Sequence, residues 1–327
     1  MNATTATRKS ISEKTKSTLK RYGFVLSIMI IPLISFFVFY VYVNASSFVL
    51  AFQRIDEVTG RKEFYGLNNF KKLFESFKPS DDPFNDELLA GISILNSLKM
   101  WWINFLICMP LYLIFSYYIY KKFAGGKSFR VIAMLPSIVS TFVYALVYKK
   151  FVDNPGPFVD ILVSWGFDNF KEINIIAQGK YAWGNNIFFT IWLSFGTSLL
   201  VYTNAMNAID QEILESARLD GVNDRQEFTH IILPMIWPTL STMVVTGATG
   251  MFTTSGSMMT FYMTTPPSNS ICGFQYYLTI IIKKDVSSYS GYPLVAASGL
   301  FVMIITLPVV YLAKWLLEKM DKMGDAV

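Results

Sequence analysis

Six stretches of this chain stay apolar for about the 20 residues that a helix needs to cross lipid. They cover roughly residues 22–43, 100–120, 131–148, 185–204, 235–252 and 294–312. The interior of a bilayer offers backbone groups no hydrogen-bond partner, so each stretch is expected to be a helix. The pattern predicts an all-α integral membrane protein with one membrane domain over residues 22–320. The polar pieces between the stretches carry their own punctuation. In the long segment after the first stretch, Leu67, Phe70, Phe74 and Phe77 recur at helical spacing, with Lys71, Lys72 and Glu75 between them. That spacing predicts a short amphipathic helix, either lying on the outer membrane surface or packed on the tops of the spans. Asp153-Asn154-Pro155-Gly156-Pro157 should stop the third span sharply, and Thr265-Pro266-Pro267-Ser268-Asn269 should break the loop after the fifth.

The polar stretch between the fourth and fifth spans is helical in period. Asp210 can cap a helix with Glu212 in its first turn and Ile213, Leu214 and Ala217 on one face. Gly221 can end that helix in the left-handed conformation. Asn223 with Gln226 three residues later forms a capping-box pattern for a second helix, whose apolar face is Phe228, Ile231 and Ile232 and which stops near Pro234. Two short helices joined at a glycine are expected to lie along the inner membrane surface.

Composition agrees with a membrane protein. Of 327 residues, 53% are hydrophobic and 16% charged, against roughly 25% charged in soluble domains. Charge then sets the orientation. Arg8, Lys9, Lys14, Lys16, Lys20 and Arg21 precede the first span, and the next basic residue after it is Arg54. This places the N-terminus, and with six spans the C-terminus, in the cytoplasm. The formal net charge of +5 therefore marks the inner face rather than a nucleic-acid partner. Residues 1–21 read as a basic cytoplasmic tail of little structure. The first span is too long for a removable signal peptide and is expected to remain.

The segment 215–221, Glu215-Ser216-Ala217-Arg218-Leu219-Asp220-Gly221, followed by Leu233 and Pro234, resembles the EAA loop of ATP-binding-cassette importer permeases. Asp220-Gly221 makes it most similar to the carbohydrate branch, the maltose-type and oligosaccharide permeases. Ser216 stands where that family usually has alanine. Tyr65-Gly66-Leu67-Asn68-Asn69-Phe70 and Asn96-Ser97-Leu98 extend the resemblance. It implies the type I importer fold of binding-protein-dependent transport systems, with 210–234 as the coupling loop. Its implied partners are a second homologous permease subunit, a cytoplasmic ATPase dimer carrying ATP and Mg, an extracellular solute-binding protein and membrane lipid. The cargo it implies is an oligosaccharide or a related polyhydroxylated solute. Glu215 would pair with a basic group on the ATPase, and Ser216 and Ala217 would allow close backbone approach. ATP-driven motion would then reach the fourth and fifth spans.

No catalysis and no cofactor or metal site is expected in the chain itself. Gly126-Lys127-Ser128 lacks the glycine five residues earlier that a phosphate-binding loop needs, and His230 is the single histidine. Cys108 and Cys272 are placed too far apart to suggest a disulfide. Hydroxyls inside spans need a partner or a water-filled path. Thr190, Ser194 and Thr197 on the fourth span, and Thr246, Gly250 and Thr253 on the fifth, are the candidate substrate-pathway residues, suited to a neutral hydroxylated solute. Gly247, Gly250 and Gly256 could equally serve close helix packing. Rival readings are an importer of another solute such as glycerol phosphate, a secondary transporter, or a membrane scaffold. A secondary transporter should carry charges within its spans for ion coupling, and the sequence places charges only at span ends.

Overall fold

Four helices are continuous, long and apolar enough to cross a membrane: α1 (Lys20–Leu50), α3 (Ala90–Tyr120), α6 (Lys180–Asn207) and α11 (Tyr292–Met320). Two further candidates are each a bent pair: α4 (Gly126–Ile138) with α5 (Thr141–Val152, which stops at the expected turn 153–156 before a short helix Pro157–Ser164), and α8 (Asp224–Met235) with α9 (Trp237–Thr249). Between them lie the short helices α2 (Asn68–Glu75), α7 (Gln211–Leu219) and α10 (Phe274–Lys284). This computed structural model describes residues 3–56, 59–78, 90–176, 178–254, 257–263, 271–284 and 291–324. The turn expected at Thr265-Pro266-Pro267-Ser268-Asn269 and the packing role weighed for Gly256 fall outside the described residues.

The expected third span, 131–148, is not one straight helix, because the axis turns by 103° at Val139 and Ser140. Both residues have extended ψ values, 148° and 125°, and Pro136 has already removed one ladder donor. The expected fifth span, 235–252, likewise begins at a 68° bend on Ile236. Pro234 and Pro238 flank that residue, so two backbone donors are missing within five positions. At the second span the helix starts at Ala90, ten residues before the expected start, which brings Lys99 inside α3 as an exposed side chain. Residues 3–21, expected to have little structure, are helical and continuous with α1. They contain neither glycine nor proline to stop a helix propagating outward from the apolar segment.

The segment after α1 departs from an all-helical reading in one place. Gln53–Ile55 (β1) and Lys62–Phe64 (β2) pair antiparallel, with Arg54 opposite Glu63 and ion-paired to it. Asn69 of α2 is buried and donates to the carbonyls of Ala51 and Gln53 at 2.9 and 2.8 Å, tying the helix to this hairpin. Of the two readings for α2, packing on a span is the one observed. Leu73 is buried, while Phe74 and Phe77 both meet Phe301 of α11. Leu67, expected on its apolar face, is exposed.

Three apolar clusters hold the helices. One joins α5, α6 and α10 through Tyr148, Phe189, Phe261 and Tyr276, and another sets Met251, Phe252 and Phe274 against Val302. The third gathers Tyr112, Tyr117, Tyr202, Leu214, Ile232 and Leu240 where α3, α6 and the 210–234 loop converge. Cys108 and Cys272 are buried in separate clusters. The most apolar stretch of α1 has no buried residue, so its surface is left to lipid or another protein.

Candidate functional site

The 210–234 loop forms the local structure its residues dictate. The Asp210 carboxylate accepts the Glu212 amide at 3.1 Å and starts α7. At the other end Gly221 takes φ +80°, while the amides of Gly221 and Val222 donate to the carbonyls of Arg218 and Ala217. That pair of bonds satisfies two carbonyls left over by the helix end, and the left-handed residue between them favours glycine. Two residues later Asn223 and Gln226 cap each other reciprocally, at 3.0 and 3.1 Å, and begin α8. Leu214 is fully buried and Ala217 is half-buried. Ile213, expected beside Leu214, is 43% exposed, and Leu219 is 89% exposed. Glu215 and Ser216 are exposed as well, and Glu215 forms no ion pair among the described residues. The helix therefore presents an outward face that mixes a carboxylate, a small hydroxyl and two aliphatic side chains. Asp220 stands at its C-terminal cap, and Leu233 and Pro234 lie near the end of α8.

One charged residue that the sequence reading missed lies beneath this loop. Glu227 is only 2% exposed and receives Lys121, from the end of α3, at 3.0 Å, together with Arg218 of α7 at 3.6 Å. Lys121 also reaches Asp224 at 2.8 Å. Burial alone would lower the Lys121 ammonium, but its hydrogen bonds to Asp224 and Glu227 outweigh it and hold its pKa above the ordinary lysine value.

A cavity of about 460 Å³ opens between α3, α6 and α9. Its polar groups are Ser97, Asn104, Tyr112, Thr190, Ser198, Tyr202, Thr246 and Thr254, set among Trp101, Phe105 and four methionines. Trp101 and Phe105 stack nearly parallel, 5.6 Å apart, and present a flat wall. Of the six expected pathway residues, Thr190, Thr246 and Gly250 line the cavity. Ser194 lies just behind the wall and hydrogen-bonds Tyr112 at 3.1 Å. Thr197 and Thr253 are exposed and turn back to the carbonyls of Ser194 and Gly250. Their neighbours Ser198 and Thr254 line the cavity, although Thr254 is also exposed and, like Thr253, donates to the Gly250 carbonyl. Sequence reasoning also missed the whole α3 wall. Asn104, a lone amide in an apolar run, was the available signal. It opens a wider, π-type turn over Asn104–Cys108 that Pro110, unable to donate, helps to impose.

Comparison with known proteins agrees with this architecture. The arabinooligosaccharides transport system permease protein AraP of Bacillus subtilis is 22% identical, covering 84% of this chain and 82% of its own. The sn-glycerol-3-phosphate transport system permease protein UgpA of Yersinia enterocolitica is 23% identical over 83% of this chain and 85% of its own. A solved bacterial alginate ABC transporter, in complex with an alginate pentasaccharide-bound periplasmic protein, superposes with a TM-score of 0.75. It covers 94% of this chain and 98% of its own at 21% identity, a likeness that shows a shared fold. Residues 88–322 match the family described as the binding-protein-dependent transport system inner membrane component. With its apolar helices, capped loop and cavity, the chain belongs to that family of membrane permeases.

Proposed function

We propose that this chain is one permease subunit of an ATP-driven importer, moving an oligosaccharide or a related polyhydroxylated solute handed over by an extracellular binding protein. Each bent pair serves as one span, giving six, with both termini in the cytoplasm of a bacterial cell. A second, homologous permease completes the pathway, and hydrolysis of Mg-bound ATP takes place on a separate ATPase dimer. The observation that carries the reading is the outward face of α7. A helix capped at both ends, anchored by the single buried Leu214, holds Glu215, Ser216 and Leu219 free. A capped helix this rigid can transmit a push as a body.

The cargo follows from the cavity chemistry. Uncharged hydroxyls and an amide set between aromatic faces complement a sugar, whose ring is apolar on its faces and hydroxylated on its edge. Glycerol phosphate is the second reading, favoured by the similarity to UgpA. The test is ATPase stimulation of the liposome-reconstituted complex by a binding protein loaded with one candidate sugar after another. Stimulation by glycerol phosphate and by none of the sugars would overturn the cargo reading. For the coupling role, Glu215→Ala should insert normally but lose ATPase docking or transport, and transport at an unchanged rate would refute that role.

A further inference from the structure

We infer that Glu227 is a positioning residue, joining α3 to the 210–234 loop so that the aromatic wall of the cavity moves whenever the loop does. The inference rests on the importer reading, which by itself sends motion from the loop into α6 and α9 only.

A carboxylate as buried as Glu227 is costly unless cations meet it. Here the two cations come from different elements: Arg218 from α7 and Lys121 from the residue that follows α3. The same junction is closed by a second ion pair, Lys121 to Asp224, and by the Tyr117 hydroxyl, which donates to the Asp224 carbonyl at 3.0 Å. The Tyr117 ring packs on Phe228 at 4.9 Å. Apart from Arg218, these contacts run from the C-terminal end of α3 to the first turns of α8. An apolar patch alone would let two helix ends slide, whereas a buried, directional charge contact fixes their register. The other end of the lever is functional. α3 carries Trp101, Asn104, Phe105 and Tyr112 into the cavity. Asn104 lies about 25 Å along the helix from Lys121 at the usual rise per residue. A displacement of the loop therefore arrives at the cavity by two routes, through the proline-flanked bend before α9 and through the salt-bridged end of α3.

The test uses the complex isolated through a tag on this chain and reconstituted in liposomes. Asn104→Cys and Thr246→Cys, made separately, report on the α3 and α9 walls through their rate of modification by a charged methanethiosulfonate reagent, with and without ATP and vanadate. The slow background from buried Cys108 and Cys272 is measured on the unsubstituted chain. With Glu227 intact, both positions should change rate severalfold on nucleotide trapping. Glu227→Gln and Lys121→Met should each abolish the change at position 104 while that at 246 persists. The double variant should lose nothing more, and Lys121→Arg should retain the response at both positions. A response at 104 that survives Glu227→Gln and Lys121→Met overturns the joint. Equal loss at 104 and 246 overturns it too, since Glu227 would then serve general stability. If the parent responds at neither position, the importer reading fails and takes the joint with it, a result distinct from either of the others.

Discussion

Gly196 is where a close crossing of α6 and α4 can be tested. It is buried on α6 against the backbone of α4, and a Cβ built there would lie 2.7 Å from the Met134 Cα and 2.8 Å from the Ala133 carbonyl carbon. It would come closer still to the Ala133 carbonyl oxygen. Carbon pairs rest at about 3.5 to 4.0 Å, so Gly196→Ala requires α4 to retreat by about 1 Å. Only backbone atoms stand in the way, and no rotamer change can absorb the overlap. The retreat would disturb the aromatic group in which Phe195 meets Phe115 and Phe129. Overpacking of this kind costs about 1–3 kcal/mol, against a gain of about 0.5–1 kcal/mol from replacing glycine by alanine inside a helix. Gly184, on the same helix, has nothing within 4 Å of its own built Cβ. Gly184→Ala therefore keeps the propensity gain without the clash, and the two variants should differ by about 1–3 kcal/mol, with Gly196→Ala the less stable. Thermal unfolding of the purified chain in detergent, followed by fluorescence-detected size exclusion, measures the pair side by side. Equal melting temperatures would refute the claim that α4 and α6 meet backbone to backbone.

Gly221→Val puts a β-branched residue at φ +80°, a conformation costing about 1–3 kcal/mol, and should raise amide exchange over residues 211–226 with little change elsewhere. Asn104→Leu removes the cavity's amide from the α3 wall, and should weaken substrate stimulation of ATPase activity several-fold while leaving the melting temperature within a few degrees. A lysine whose folded pKa is raised contributes stability that is fully present below its unfolded value, about 10.4, and is lost as pH rises through the folded one. The stability difference between the parent and Lys121→Met should accordingly stay flat from pH 6 to about 9 and shrink only in strong alkali. A decline near pH 7 would contradict the Lys121 pairing.

How much of this could be read from the sequence depended on the distance between interacting residues. Every cap in the 210–234 loop links residues two to five apart, and the contacts of Asp210, Gly221, Asn223 and Gln226 form where the spacing placed them. Glu227 and Lys121 are 106 residues apart, and nothing local marks either as the other's partner. Of the expected pathway residues, Thr197 and Thr253 stand one position from Ser198 and Thr254, which line the cavity. One residue turns a helix by about 100°, enough to exchange a cavity face for an exposed one. At Thr253 the helical period itself no longer applied, since α9 ends at Thr249. A hydropathy window averages over prolines, so the apolar character of the third and fifth stretches was legible and their bends at Ser140 and Ile236 were not.

Those two bends bracket α6, and the second of them makes a mechanical requirement. α9 has 13 residues and so rises about 20 Å, short of the roughly 30 Å of a hydrocarbon core. In the six-span reading proposed above it shares the crossing with α8, whose other end is capped by Asn223 in the loop. Between the two halves stands Ile236, flanked by prolines that cannot donate, and so held by fewer backbone bonds than an unbroken helix. On the proposed mechanism a loop displacement enters α8 at the end that its cap and the Glu227 cluster fix, and meets the proline-flanked bend just before the wall that carries Thr246 and Gly250. On that mechanism, a fixed capped end and a bend at Ile236 would convert translation of the loop into a change of angle at the cavity. An unbroken helix would instead slide as a whole, with every polar group on its apolar face moved through lipid.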